Sequence, residues 1–131
     1  MTINRDLIAA RNVDFAPTIE LEYSGDPLPL EGAIISMEVR QYAGQPGIHL
    51  AQDASVAFED DAGATVDDPR ILQLSPRIED SVLSGFPTGL NQPEVGEADR
   101  FSYEIIVTYA DGDQDSLMSG AFILEPGVNT L

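Results

Sequence analysis

The sequence predicts an all-β fold, arranged as an antiparallel β-sandwich or a partly open barrel of about seven short strands with one short helix. Three observations support this prediction. Apolar and polar residues alternate in several short runs, which is the pattern of half-buried strands. Prolines and glycines separate these runs. An Asp-Gly pair, Asp111-Gly112, lies between the last two runs and is typical of a β-hairpin turn.

The N-terminal third contains an irregular segment and two predicted strands. Residues 1–12 are expected to form an arm or a short helix, because the apolar run at residues 7–10 is compatible with a helix. Residues 13–23 follow as the first strand, in which Pro17 indicates an edge position or a bulge. The second strand covers residues 33–41, where apolar side chains occupy every second position.

The middle of the chain contains shorter elements. Three short strands are predicted at residues 48–52, 55–59 and 70–74. A helix is predicted over residues 76–84, because Ser75 is a good N-cap residue and Pro76 suits the first helical position. Gly85 then ends the helix.

The C-terminal third gives the strongest strand signal. Residues 101–109 alternate clearly, and residues 116–125 form the second arm of the predicted hairpin. The length of 131 residues suits one domain. We therefore expect a β-sandwich domain at residues 13–125, an N-terminal arm at residues 1–12 and a C-terminal tail at residues 126–131.

The charge is strongly negative. The formal net charge is −17, from 23 acidic residues against six basic residues, all of them arginine. Such a surface repels phosphate backbones and anionic bilayers, so we expect no nucleic-acid partner and no membrane partner. It favours solubility, and it also suits a basic partner or a cation-rich medium. No signal-peptide core or membrane span is recognisable, so synthesis and folding in the cytoplasm are expected.

The residues do not indicate an enzyme. The chain has one histidine, His49, and neither cysteine nor lysine, and no nucleophile motif accompanies its serines. No cofactor motif is recognisable. Calcium is the one candidate cofactor, because Asp111, Asp113 and Asp115 place three carboxylates at alternating positions of a loop. The alternative is a solvated hairpin tip.

Two further features have two interpretations each. The acidic residues 59–61 together with Asp67 and Asp68 are either two solvated turns or a weak calcium site. Tyr103 and Tyr109 are either core residues or, if they face solvent, platforms for sugar rings.

Six short motifs follow one another along residues 13–124. They are an acidic-aromatic strand start, a Gly-Asx-Pro turn, a leucine-rich connector, a strand ending in Met-x-Val-Arg, a Pro-x-Gly after the helix and a strand leading to Asp-Gly. The residues that carry them are Val13-Asp14-Phe15, Gly25-Asp26-Pro27, Leu28-Pro29-Leu30-Glu31-Gly32, Ile35-Ser36-Met37-Glu38-Val39-Arg40, Pro87-Thr88-Gly89 and Tyr103 to Gly112. This order resembles the small β-sandwich structural proteins encoded among bacteriophage and prophage tail genes.

The resemblance implies an Ig-like sandwich that is built into a virion, at the tail, tail tip or baseplate, in many symmetric copies and without catalytic residues. The implied partners are other virion structural proteins and further copies of the chain, assembled in the host cytoplasm. We expect interface arginines to pair with acidic residues of neighbours, at Arg5, Arg11, Arg40 and Arg100. The alternatives are a capsid decoration protein and a glycan-binding module for host attachment.

Overall fold

The computed structural model describes residues 2–61, 68–88 and 94–129. These residues form nine strands and one helix, in the order β1 (Ile3–Asn4), β2 (Leu7–Ala10), β3 (Ile19–Tyr23), β4 (Ile34–Arg40), β5 (Ala51–Asp53), β6 (Ala57–Asp61), β7 (Arg70–Ser75), α1 (Asp80–Leu83), β8 (Asp99–Thr108) and β9 (Gln114–Glu125). Among them there is no helix with the length and apolar character that crossing a membrane requires.

The strands form two sheets. The larger sheet has the order β1-β9-β8-β4-β5, with β2 also paired to β9, and the smaller sheet has the order β3-β7-β6. One hydrophobic core contains buried residues from both sheets. The predicted all-β, sandwich-like class with one short helix is therefore confirmed.

The core follows from the alternation of side chains along the strands. Every second residue of β8 is buried from Asp99 to Val107, and β4 shows the same period. Aromatic rings fill one region of the core, where Phe15 packs edge-on against Phe122 with ring centres 5.2 Å apart. Phe86 packs in the same way against Phe101 at 5.1 Å.

The predicted hairpin is present between β8 and β9. Gly112 has a φ of 94°, a backbone conformation that favours glycine, and the turn is closed by the Tyr109 N–H, which donates to the Asp113 carbonyl at 2.8 Å. The pairing shifts its register between Ile105 and Ile106, which is the mark of a β-bulge. Leu117 lies at this shift, and both it and the next residue of β9 are buried.

The N-terminal segment is not helical. Strands β1 and β2 both pair in parallel with β9, so residues 3–10 extend the edge of the larger sheet. Leu7 and Ala9 point into the core. The sheet is consequently not purely antiparallel, and the strand number rises above the seven predicted. Four apolar residues in a row suit a helix and a strand equally well, and the β9 edge decides between them.

The predicted helix is shorter than expected. It begins at Asp80 rather than at residue 76, because Ser75 ends β7 and Ile78 forms a two-way backbone pairing with Phe15. The Asp80 N–H donates to Asp14 Oδ1 at 2.9 Å, so a side chain far away in the sequence contacts the start of the helix. The first predicted strand, residues 13–23, is also shorter than expected. Phe15 pairs with Ile78 instead, and regular strand pairing begins only at Ile19.

Candidate functional site

Arg11 lies inside the molecule. Its guanidinium donates to the carbonyls of Phe86 at 2.6 Å and Pro87 at 2.9 Å, and it forms an ion pair with Asp99 at 3.0 Å. The side chains of Arg11 and Asp99 are only 12% and 7% exposed. Arg11 is therefore committed to joining the N-terminal segment to the loop after α1, and the structure does not place it at a surface for a neighbour.

Arg40 pairs with an acidic residue, but within its own chain. One guanidinium nitrogen donates to the carbonyls of Gln45 at 3.0 Å and Gly47 at 2.7 Å, and the other lies 3.5 Å from Glu38 Oε1. The same carboxylate oxygen lies 3.0 Å from His49 Nδ1. Arg40 thus holds the loop that follows β4 against the outer face of the larger sheet.

Arg5 and Arg100 are the exposed members of the predicted set. Arg100 lies on β8 opposite Ile123 of β9. The Arg5 carbonyl, at the junction of β1 and β2, accepts a hydrogen bond from the Tyr103 hydroxyl. The interface role of these two arginines stays a prediction.

The three aspartates of the hairpin line one open pocket together with Tyr109, but two of the three carboxylates are engaged in other contacts. Asp111 Oδ1 accepts from the Asp113 N–H at 2.9 Å, which is a local turn contact, and Asp115 Oδ2 accepts from the Tyr109 hydroxyl at 3.3 Å. Across residues 2–61, 68–88 and 94–129, no group of three or more histidine or acidic side chains is arranged to hold a metal ion. The structure therefore does not assemble the predicted calcium site from its three ligands.

The second acidic cluster is also divided. Asp67 lies outside the described residues. Asp60 instead accepts from the Tyr23 hydroxyl at 2.8 Å and forms an ion pair with Arg70 at 3.1 Å, while Arg70 Nε donates to the Tyr23 oxygen at 3.1 Å. This three-residue network lies across β3, β7 and β6 at one end of the smaller sheet. No local sequence pattern indicates this network, because its members are separated by up to 47 positions.

The two candidate sugar-binding tyrosines occupy different environments. Tyr103 is only 3% exposed, and burial raises the pKa of its hydroxyl to about 12. Tyr109 is half-buried, and its pKa is raised by burial first and by Asp115 second. Tyr103 is therefore a core residue, and the two rings do not form an exposed pair.

A groove of about 400 Å³ lies on the outer face of the larger sheet. Its floor is formed by Glu38, Arg40, Glu104 and small polar residues, and loop residues 42–45 form one wall. Tyr42 stands in that wall and is 53% exposed. No sequence pattern indicates this tyrosine, because only the fold brings the loop beside β8.

No protein-family model matches the chain, and no curated protein matches it.

Proposed function

We propose that the chain is a non-enzymatic structural subunit of a tailed bacteriophage virion, located in the tail, tail tip or baseplate. It assembles in the host cytoplasm into a symmetric homo-oligomer and contacts other virion proteins through its strand faces and sheet edges.

The observation that carries this proposal is where the motifs lie in the fold. The Met-x-Val-Arg motif lies within β4, and the Tyr103 to Gly112 motif forms β8 and the hairpin turn. The Gly-Asx-Pro motif follows directly after β3. Three of the six segments that resemble phage tail proteins thus lie in strands or connections of the two-sheet scaffold.

The charged groups described above support the same proposal. Arg11, Arg40 and Arg70 are all used to fix loops and strands within the chain. Such contacts give a rigid body whose faces keep their shape, which suits a subunit that works by packing against neighbours.

The test is to find the protein in assembled particles. Antibodies against the purified chain are applied to tailed particles released by the source cells, with immunogold electron microscopy as the measurement. Gold on the tail, tip or baseplate is the expected result. Gold on the head would instead identify a capsid decoration protein, and particles without any label would overturn the virion role.

A further inference from the structure

Two carboxylates oppose each other on the outer face of the larger sheet. Glu38 of β4 is the direct register partner of Glu104 of β8. Like charges in directly opposite positions of a sheet destabilise it. A pair of this kind therefore costs stability in the isolated protein, unless a cation lies beside it.

The chain neutralises only one member of this pair. Glu38 lies 3.5 Å from the Arg40 guanidinium and 3.0 Å from His49 Nδ1. Within the described part of the chain, Glu104 has no basic partner, and its carboxylate accepts only the Ser116 hydroxyl at 2.9 Å. Arg40 is already bound to two loop carbonyls, so its guanidinium is held on the Glu38 side of the groove.

The groove supplies what a cationic side chain needs besides a carboxylate. Tyr42 is an exposed aromatic wall beside the carboxylates, and an aromatic face attracts a guanidinium or ammonium group. Ser102 and Ser119 add hydroxyls on the floor. The volume of about 400 Å³ accommodates one long side chain together with part of its backbone.

We propose that this groove binds an arginine or lysine side chain from a neighbouring protein in the assembly, with Glu104 as its ion-pair partner and Tyr42 as its stacking surface. The partner is a basic surface of another virion protein, because a chain with a net charge of −17 and no lysine attracts basic surfaces. The proposal rests on the structural function proposed above and names the chemistry of one of its contacts.

The test uses the full chain labelled with ¹⁵N and a blocked peptide, acetyl-Gly-Arg-Gly-Arg-Gly-amide, as the probe. Titration at low salt is followed by amide chemical shifts. We expect saturable shifts confined to Tyr42, Gly44, Ser102, Glu104 and Ser119. The Glu104→Gln variant is expected to weaken binding at least about fivefold, since it removes the charge and keeps the shape.

Glu22→Gln provides the matched control. Glu22 is an exposed strand carboxylate on the smaller sheet, and its removal changes the net charge by the same amount. Binding by this variant should stay within about twofold of the parent. Equal weakening by Glu22→Gln and Glu104→Gln would show non-specific attraction and overturn the proposal.

Thermal stability supplies a second readout. Glu104→Gln removes the part of the repulsion from Glu38 that Arg40 leaves uncompensated, so the free variant should melt no lower than the parent while binding the peptide more weakly. A residue with a purely structural role would lose stability instead. A neutral oligosaccharide that gives the same local shifts, with none from the peptide, would overturn the proposal in favour of sugar binding.

Failure of the groove proposal and failure of the proposed virion role give different results. Local peptide binding without gold label on particles would retain the groove and remove the virion role. Labelled particles without local peptide binding would retain the virion role and remove the proposed role of the groove.

Discussion

At the scale of single residues, Arg11 shows how a charged side chain serves the fold rather than the surface. Its guanidinium satisfies two loop carbonyls and the buried carboxylate of Asp99. Removing one partner of a buried pair leaves the other without compensation, which typically costs about 3–5 kcal/mol. Exposed pairs contribute only about 0–1 kcal/mol.

The difference between buried and exposed ion pairs gives a direct prediction. Arg11→Met should lower the free energy of unfolding by about 3 kcal/mol, measured by urea denaturation at pH 7. Arg77→Met is the control, because Arg77 pairs with Asp14 at 2.8 Å but is 58% exposed. The control should lose less than about 1 kcal/mol. Equal losses for the two variants would contradict the internal role of Arg11.

Tyr103 makes the stability depend on alkaline pH. Burial raises the pKa of its hydroxyl to about 12, while the unfolded value is about 10. Because the folded-state pKa is the higher one, the neutral phenol stabilises the fold fully below about pH 10. That contribution, about 2–3 kcal/mol for a shift of this size, is lost as the pH rises from 10 to 12.

The measurement is a comparison of urea midpoints for the parent and Tyr103→Phe between pH 8 and pH 12. At pH 8 the variant should be less stable by about 1 kcal/mol, because it lacks the hydroxyl that donates to the Arg5 carbonyl. The difference in stability should shrink and then reverse as the Tyr103 hydroxyl of the parent ionises. A gap that is constant with pH would show that Tyr103 titrates normally.

At the scale of elements, the strands predicted best are those with a complete alternating pattern and a local turn. Residues 33–41 and 101–109 were predicted, and the structure has β4 at Ile34–Arg40 and β8 at Asp99–Thr108. Their alternating pattern determines which face of each strand is buried, and the Asp-Gly turn determines that β8 pairs with β9. Local information therefore suffices for the central hairpin.

The elements that were mispredicted depend on distant partners. Residues 7–10 become a strand because β9 offers a free edge, 115 positions away. The helix starts at Asp80 because Asp14 and Phe15 contact residues 78–80. The Tyr23, Asp60 and Arg70 network and the Tyr42 groove were missed for the same reason, since tertiary pairing alone brings their members together.

The junction between β1 and β2 depends on a glycine of β9. A Cβ at Gly120 would lie 2.3 Å from the Arg5 carbonyl oxygen, closer than real contacts allow. Asp6 Oδ1 accepts the next N–H of β9, from Ala121, at 3.2 Å, so the junction lies directly against β9. The N-terminal segment must move if this position gains a side chain.

Gly120→Ala is therefore expected to lower stability by about 1–3 kcal/mol and to release β1 from the sheet. Amide hydrogen exchange is the measurement, with faster exchange expected at Arg5, whose N–H donates to the Ser119 carbonyl. Gly85→Ala is the control, because its Cβ would meet only the Val82 carbonyl at an ordinary 3.5 Å. Unchanged protection of Arg5 in the Gly120 variant would contradict the close approach.

At the scale of the whole molecule, the smaller sheet presents an outer face on which every charged side chain is acidic. Glu20 and Glu22 of β3 point outward, and so do Glu59 and Asp61 of β6. Strand β7 between them contributes Ile71 and Gln73 to this face, so no basic residue of the three strands compensates the four carboxylates there. Because the whole chain already carries a net charge of −17, the repulsion among these carboxylates opposes folding.

Salt should relieve this repulsion, since the Debye length falls from about 30 Å at 0.01 M to below about 10 Å above 0.1 M. The urea midpoint of the parent should therefore rise steadily between 10 mM and 500 mM NaCl. A variant with Glu20→Gln, Glu22→Gln, Glu59→Gln and Asp61→Asn should be more stable by about 1 kcal/mol at 10 mM salt and should respond less to added salt. The parent and the variant should converge at 500 mM, because screening leaves little repulsion for the substitutions to remove. If the two proteins keep parallel salt responses, the destabilising charge lies elsewhere on the molecule.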